Sequence, residues 1–105
     1  MITVTKDSYR LTVTGHAGYA PRGYDIVCSA VSALVTTLAA GLRANGELFV
    51  TPPTVILRHG SALIECKPKR ERRDDVALLW SVFMGGFVAL AMSYGDYVRF
   101  TEKNS

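Results

Sequence analysis

The sequence predicts an α+β domain, a two-layer sandwich in which a mostly antiparallel sheet carries two helices in the order β-β-α-β-β-α-β. Two short segments near the N-terminus place apolar residues at every second position. Two long stretches carry no charge and have helical composition, and a Pro-Pro break between them is followed by a second pair of β-rich runs. With 105 residues, 49% hydrophobic and 20% charged, the chain has the material for one core and one domain spanning residues 1–105.

Ile2 and Val4, then Tyr9, Leu11 and Val13, form the first alternating set, with Lys6-Asp7-Ser8 as the turn of a hairpin. Gly15, Gly18, Pro21 and Gly23 break the next segment, which therefore reads as a loop. Asp25 is a good N-cap for a first helix over Ile26 to Leu42, with Gly41 and Gly46 as stop signals. After Thr51-Pro52-Pro53, the runs TVILRHG and SALIECK make a second hairpin around Gly60-Ser61. Asp74-Asp75 caps a second helix over Val76 to Gly95, and Tyr97 to Thr101 closes as a strand.

The charge is +3, but Lys67 to Arg73 holds five bases and one acid, which leaves −1 on the rest of the chain. A dispersed nucleic-acid-binding face is therefore not expected; contact of this stretch with ribosomal RNA is the sharper reading, and a solvated connection the plainer one. Cys28 and Cys66 are too few for a disulfide scaffold and form no C-x-x-C pair, so a reducing, cytoplasmic setting is expected. The N-terminus lacks the pattern of a secretory signal.

Val76 to Gly95 reaches the length of about 20 residues that a bilayer span needs. On a helix, however, Ala77, Ser81, Gly85, Ala89 and Ser93 form a stripe of small residues, and Val76, Trp80, Phe83, Phe87 and Leu90 a bulky one. A helix with two apolar faces buries one on its sheet and the other on a second helix or subunit, so a homodimer contact through either stripe and a wholly internal core stand side by side, and a membrane span is not expected.

Chemistry concentrates between residues 15 and 32. His16 stands in the Gly-rich loop, and Cys28 stands three residues after the cap, in the first turn of the helix. Unpaired N–H groups and the positive dipole end of a helix favour thiolate over thiol, and a nearby histidine completes a cysteine nucleophile. Ser32 shares the Cys28 face one turn on, and Asp25 can cap the helix, orient His16, or do both. A buried structural cysteine, a backbone-satisfied loop histidine and an ordinary helix serine are the plainer readings of the same residues. His59 and Cys66, with His16 and Cys28, offer four zinc-ligand types at no recognised spacing, so neither metal nor cofactor is expected.

Taken together, TGHAGYAPRGYDIVCSAVSAL resembles the ribosomal-processing cysteine protease Prp family, closely over Thr14 to Leu34 and loosely elsewhere. The resemblance implies Cys28 as nucleophile and His16 as general base, with Asp25 and Ser32 as supporting polar residues. It also implies a homodimer that cuts the N-terminal extension from a large-subunit ribosomal protein precursor. Gly15, Gly18, Tyr19, Gly23 and Tyr24 would then belong to a mobile loop over the peptide, Tyr19 and Tyr24 lining an aromatic-binding cleft. Pro21-Arg22 stands where a more acidic or aromatic loop is expected. A phage-type capsid or scaffold maturation protease shares all this chemistry, and a non-catalytic ribosome-assembly module is the alternative from another class.

Overall fold

The computed structural model describes residues 1–21 and 23–103; Arg22, and with it part of the expected Pro21-Arg22 departure, lies outside the described residues. The strands are β1 (Ile2–Asp7), β2 (Arg10–Gly15), β3 (Thr54–Arg58), β4 (Ser61–Glu65) and β5 (Val98–Lys103), with helices α1 (Ile26–Ala44) and α2 (Arg73–Ser93). They run in the expected order and form one five-stranded sheet, β3-β4-β2-β1-β5. Its pairings are antiparallel except β1 with β5, which is parallel because the chain returns through α2 to the free edge of β1.

The period-2 alternation of every strand points one face at both helices. Across that face the register lines up Phe100, Val4, Val13, Ala62 and Leu57 in one row, and Lys6, Leu11, Ile64 and Val55 in the next. The opposite face carries Thr101, Thr5, Thr12, Leu63 and Ile56. α1 buries Val27, Val31, Val35, Leu38 and Leu42 on the sheet, spaced three or four apart as a helical stripe requires. α2 buries Val76, Trp80, Met84 and Phe87. The two helices approach closely where Gly86 faces the Leu34 side chain, whose δ carbons would lie 3.0–3.1 Å from a Cβ at that position.

Several local expectations shift. The first hairpin turns through Ser8 and Tyr9, not Lys6 to Ser8, because Asp7 pairs with Arg10 and Ser8 takes a positive φ of 53°. Tyr9 is thereby released from the strand and packs edge-on against Trp80, with ring centroids 6.2 Å apart. α1 continues through Gly41 to Ala44, and the Asn45 side chain satisfies the Gly41 carbonyl at 2.7 Å. α2 starts at Arg73, so Asp74 and Asp75 are not caps but first-turn acids, favourably placed against the helix dipole.

Both helices are long and apolar enough to cross a membrane by length and composition alone. Of the two stripes on α2, Trp80 and Phe87 of the bulky one are fully buried, whereas the small-residue stripe faces outward beside Leu78, Val82 and Met92, which are 66–82% exposed.

Candidate active site

Four chain segments meet at one end of the sheet: the N-terminus of β1, the end of β2, the β3–β4 turn and the first turn of α1. Gly15 ends β2 at a φ of +96°, and its Cβ position is filled by the Met1 carbonyl, so no side chain fits there. Gly15 N–H donates to the Gly60 carbonyl at 3.0 Å, and the Met1 ammonium donates to the His16 carbonyl at 2.6 Å. The backbone of His16 is therefore held from two sides while its ring is exposed.

Asp25 organises the opposite wall. Oδ1 accepts from Val27 N–H at 3.0 Å and Cys28 N–H at 2.9 Å, capping α1, and Oδ2 accepts from Tyr19 N–H at 3.1 Å, tying down the loop. The Cys28 amide, together with those of Tyr19 and Ala20, holds this carboxyl below the usual carboxylate range against the burial that would raise it. Asp25 thus caps the helix and clamps the loop, each oxygen accepting a backbone donor, and the Cys28 thiol beside it also helps hold the carboxyl low. Among the described residues no hydrogen bond joins it to His16.

An acid held below its ordinary pKa of 3.8 stabilises the fold fully above that value and loses its contribution as pH falls through its own titration. Asp25→Ala should therefore lower Tm by roughly 5 °C at pH 7, as loss of an N-cap does. The gap from wild type should narrow toward pH 2, which thermal melts at both pH values check.

The Cys28 thiol is half-buried at the third residue of α1 and accepts the Ala17 N–H at 3.3 Å, a contact that strengthens on ionisation. His16, Cys28, Asp25, Ser32, Gly15, Gly18 and Gly23 line a common cleft of about 640 Å³ between α1 and the β3–β4 turn. Apolar Val31, Val35, Leu57 and Ala62 extend it along α1. Ser32 is exposed one turn beyond Cys28, as its spacing implies. No hydrogen bond joins the His16 ring to Cys28 Sγ among the described residues; the ring instead packs on His59, with centroids 4.9 Å apart. Tyr19 and Tyr24 are not among the residues walling the cleft. Tyr19 packs edge-on against Tyr94 and Tyr97, at 5.8 and 5.1 Å, and Tyr24 is 79% exposed.

The second cysteine is elsewhere. Cys66 follows β4 at the opposite end of the sheet, where its N–H donates to the Tyr9 carbonyl at 3.1 Å. Burial pushes its thiol up to about 11, with the Glu65 carboxylate adding to the rise and the Trp80 indole opposing it. Of the four residues with zinc-ligating chemistry, Cys66 is thus separated from the other three, and no group of three or more such ligands forms among the described residues. Sequence reasoning missed Ala17, the Met1 ammonium and the Arg58-His59-Gly60 turn as parts of this site. Only the β2–β4 pairing brings that turn to His16, and nothing local announces it.

Comparison with known proteins follows the same outline. Residues 1–99 match the family described as cysteine protease Prp. A ribosomal processing cysteine protease Prp from Mycoplasma pneumoniae is 49% identical over 35 residues, a match that spans 33% of this chain and about a third (35%) of that relative. The fold is shared with an essential ribosomal processing protease Prp from S. aureus carrying a covalently linked product peptide, at TM-score 0.79 and 22% identity over 98% of this chain and 100% of that one. It is also shared with SMU.848 from Streptococcus mutans, at TM-score 0.73 and 26% identity over 99% of this chain and 93% of the other. The match across nearly the whole length, on a fold that opens a helix-start cysteine and a loop histidine into one cleft, places this chain in the cysteine protease Prp family.

Proposed function

We propose that the chain is a cysteine endopeptidase that removes the N-terminal extension of a large-subunit ribosomal protein precursor in the cytoplasm, with Cys28 as nucleophile and His16 as general base. One observation carries the reading: the Cys28 sulfur, in the first turn of α1 and already accepting the Ala17 amide, opens into the same peptide-sized cleft as His16. The M. pneumoniae relative, a ribosomal processing protease, supports the substrate class.

The thiolate attacks the scissile carbonyl carbon, forming a C–S bond and moving the carbonyl pair onto oxygen. As the C–N bond breaks, the His16 imidazolium gives its proton to the leaving amine. Water, losing a proton to His16, then attacks the thioester, releasing a carboxylate and restoring the thiolate. The start of α1 suggests its own amides as oxyanion donors, but Val27 N–H and Cys28 N–H are engaged by Asp25. The Ala17 N–H, already aimed at the sulfur, is the better-placed donor, with the Ser32 hydroxyl one turn away. Gly18 and Gly23, at φ of +69° and +93°, are the hinges on which the loop closes over a bound peptide.

Incubating the purified chain with a ribosomal protein precursor and reading intact mass tests this. One cut that releases the N-terminal extension is expected; an intact precursor beside folded enzyme would contradict it.

The outward face of α2 is the dimer contact in this reading. Leu78, Val82, Gly85, Ala89 and Met92 recur at alternating steps of four and three, a seam suited to a second copy of the same helix across a two-fold axis. The chain should sediment as a dimer, and Val82→Glu, which sets like charges together at the seam, should weaken association by at least about 100-fold. A monomeric wild type, or a Val82→Glu variant that dimerises normally, would overturn this contact. Lys67, Arg70 and Arg73 remain exposed on the connection to α2, available to ribosomal RNA in the same reading.

A further inference from the structure

A general base works only when its ring is held at a fixed angle, and the usual holder is a carboxylate or carbonyl that accepts from the second ring nitrogen. Asp25, the nearest candidate by sequence, accepts from the Val27, Cys28 and Tyr19 amides, and among the described residues no hydrogen bond joins it to His16. What lies against the His16 ring is aromatic. The His59 ring sits 4.9 Å away, tilted by 42°. Beside it, Gly60 comes so close that a Cβ there would lie 3.0 Å from His16 Nε2 and 3.3 Å from Cε1. Gly60 takes a φ of +77°, which glycine adopts freely, and the turn is fastened to the end of β2 by the Gly15 to Gly60 hydrogen bond of 3.0 Å. The β3–β4 turn is thus a rigid wall against the ring, and the other face of that turn is anchored in the sheet.

We propose that His59 is the positioning residue for His16, holding the base by ring-on-ring packing in place of a third hydrogen-bonding group. This rests on the peptidase reading above. His59 itself lines the cleft next to the base; its part in this proposal is played on His16, whose exposed ring it keeps from swinging out of the cleft that Cys28 shares. Loss of the ring leaves His16 free to rotate and slows the proton transfers, an effect that falls on kcat rather than on KM. Flatness, not the imidazole's own titration, is what the role needs, so a phenyl ring should serve.

Steady-state cleavage of the ribosomal precursor by wild type, His59→Ala and His59→Phe separates the possibilities. His59→Ala should lower kcat by about tenfold with KM within about twofold, and His59→Phe should recover kcat to within about twofold of wild type. An unchanged kcat in His59→Ala, a loss confined to KM, or a loss that His59→Phe does not restore would each overturn the positioning role while leaving the peptidase reading intact. A wild type that does not cut at all would overturn that reading and this role together. In the wild-type protein, NOEs between the His16 and His59 ring protons should be present without any substrate, and their absence would remove the packing itself.

Discussion

Replacing Cys28 by alanine should reduce precursor cleavage by more than about 1,000-fold, whereas replacing Cys66 should leave it within about twofold of wild type. The contrast follows from the two environments. Cys28 is half-buried at the start of α1, receives a backbone N–H from Ala17 and opens into the cleft that also holds His16. Cys66 is 8% exposed beneath α2, and its thiol is pushed up to about 11, so at neutral pH it carries negligible thiolate and has no route to a peptide. Iodoacetamide near neutral pH should accordingly modify Cys28 and spare Cys66. His16→Ala should fall with Cys28→Ala, because base and nucleophile act as a unit and the loss of either removes most of the rate.

The largest expected loss of stability comes from Trp80. Its indole is 1% exposed and lies at the centre of α2's buried face, against the Tyr9 ring and close to Cys66. Trp80→Ala should cost about 3–5 kcal/mol, a large part of the 5–15 kcal/mol that holds a domain of this size, and should show as a sharply lower urea midpoint. Trp80→Phe should behave differently. Among the described residues nothing satisfies the buried Trp80 Nε1: Cys66 lies near enough for the indole to influence its ionisation, but not in a geometry that satisfies the N–H. A phenyl ring removes that unpaired donor while keeping most of the apolar volume, so the cost should stay within about 1.5 kcal/mol. An alanine variant as stable as wild type would mean that the α2 face is far less tightly packed than this.

What local patterning encodes in this chain is clear from α1. The cap Asp25 and the proposed nucleophile Cys28 are three residues apart on one helix start, and that spacing alone sets the thiol in the first turn of α1. Both hairpins are equally local, although the turn position in the first one depended on Ser8 tolerating a positive φ, which residue type does not announce. Long-range pairing is where sequence patterning ends. The parallel union of β1 with β5 joins segments more than ninety residues apart. His59 reaches His16 only because β4 pairs with β2, and no motif links the two histidines in sequence. α2 shows the same limit in another form. Its composition implies two apolar faces, but only the sheet and α1 decide that Trp80 and Phe87 turn inward and that Leu78, Val82 and Met92 turn out. Tyr19 packs on Tyr94 and Tyr97 for a similar reason, since the end of α2 and the start of β5 arrive beside the loop from the far end of the chain.

The central claim is that Cys28 is the nucleophile of a peptidase and that His16 activates it. A short peptide carrying a chloromethyl ketone in place of the scissile bond tests it most directly, read by intact mass and then by peptide mapping. A single adduct on Cys28, slowed by at least about 100-fold in His16→Ala and unaffected by Cys66→Ala, is the expected result. Adduct on Cys66, or labelling of Cys28 at the same rate with and without His16, would contradict the account.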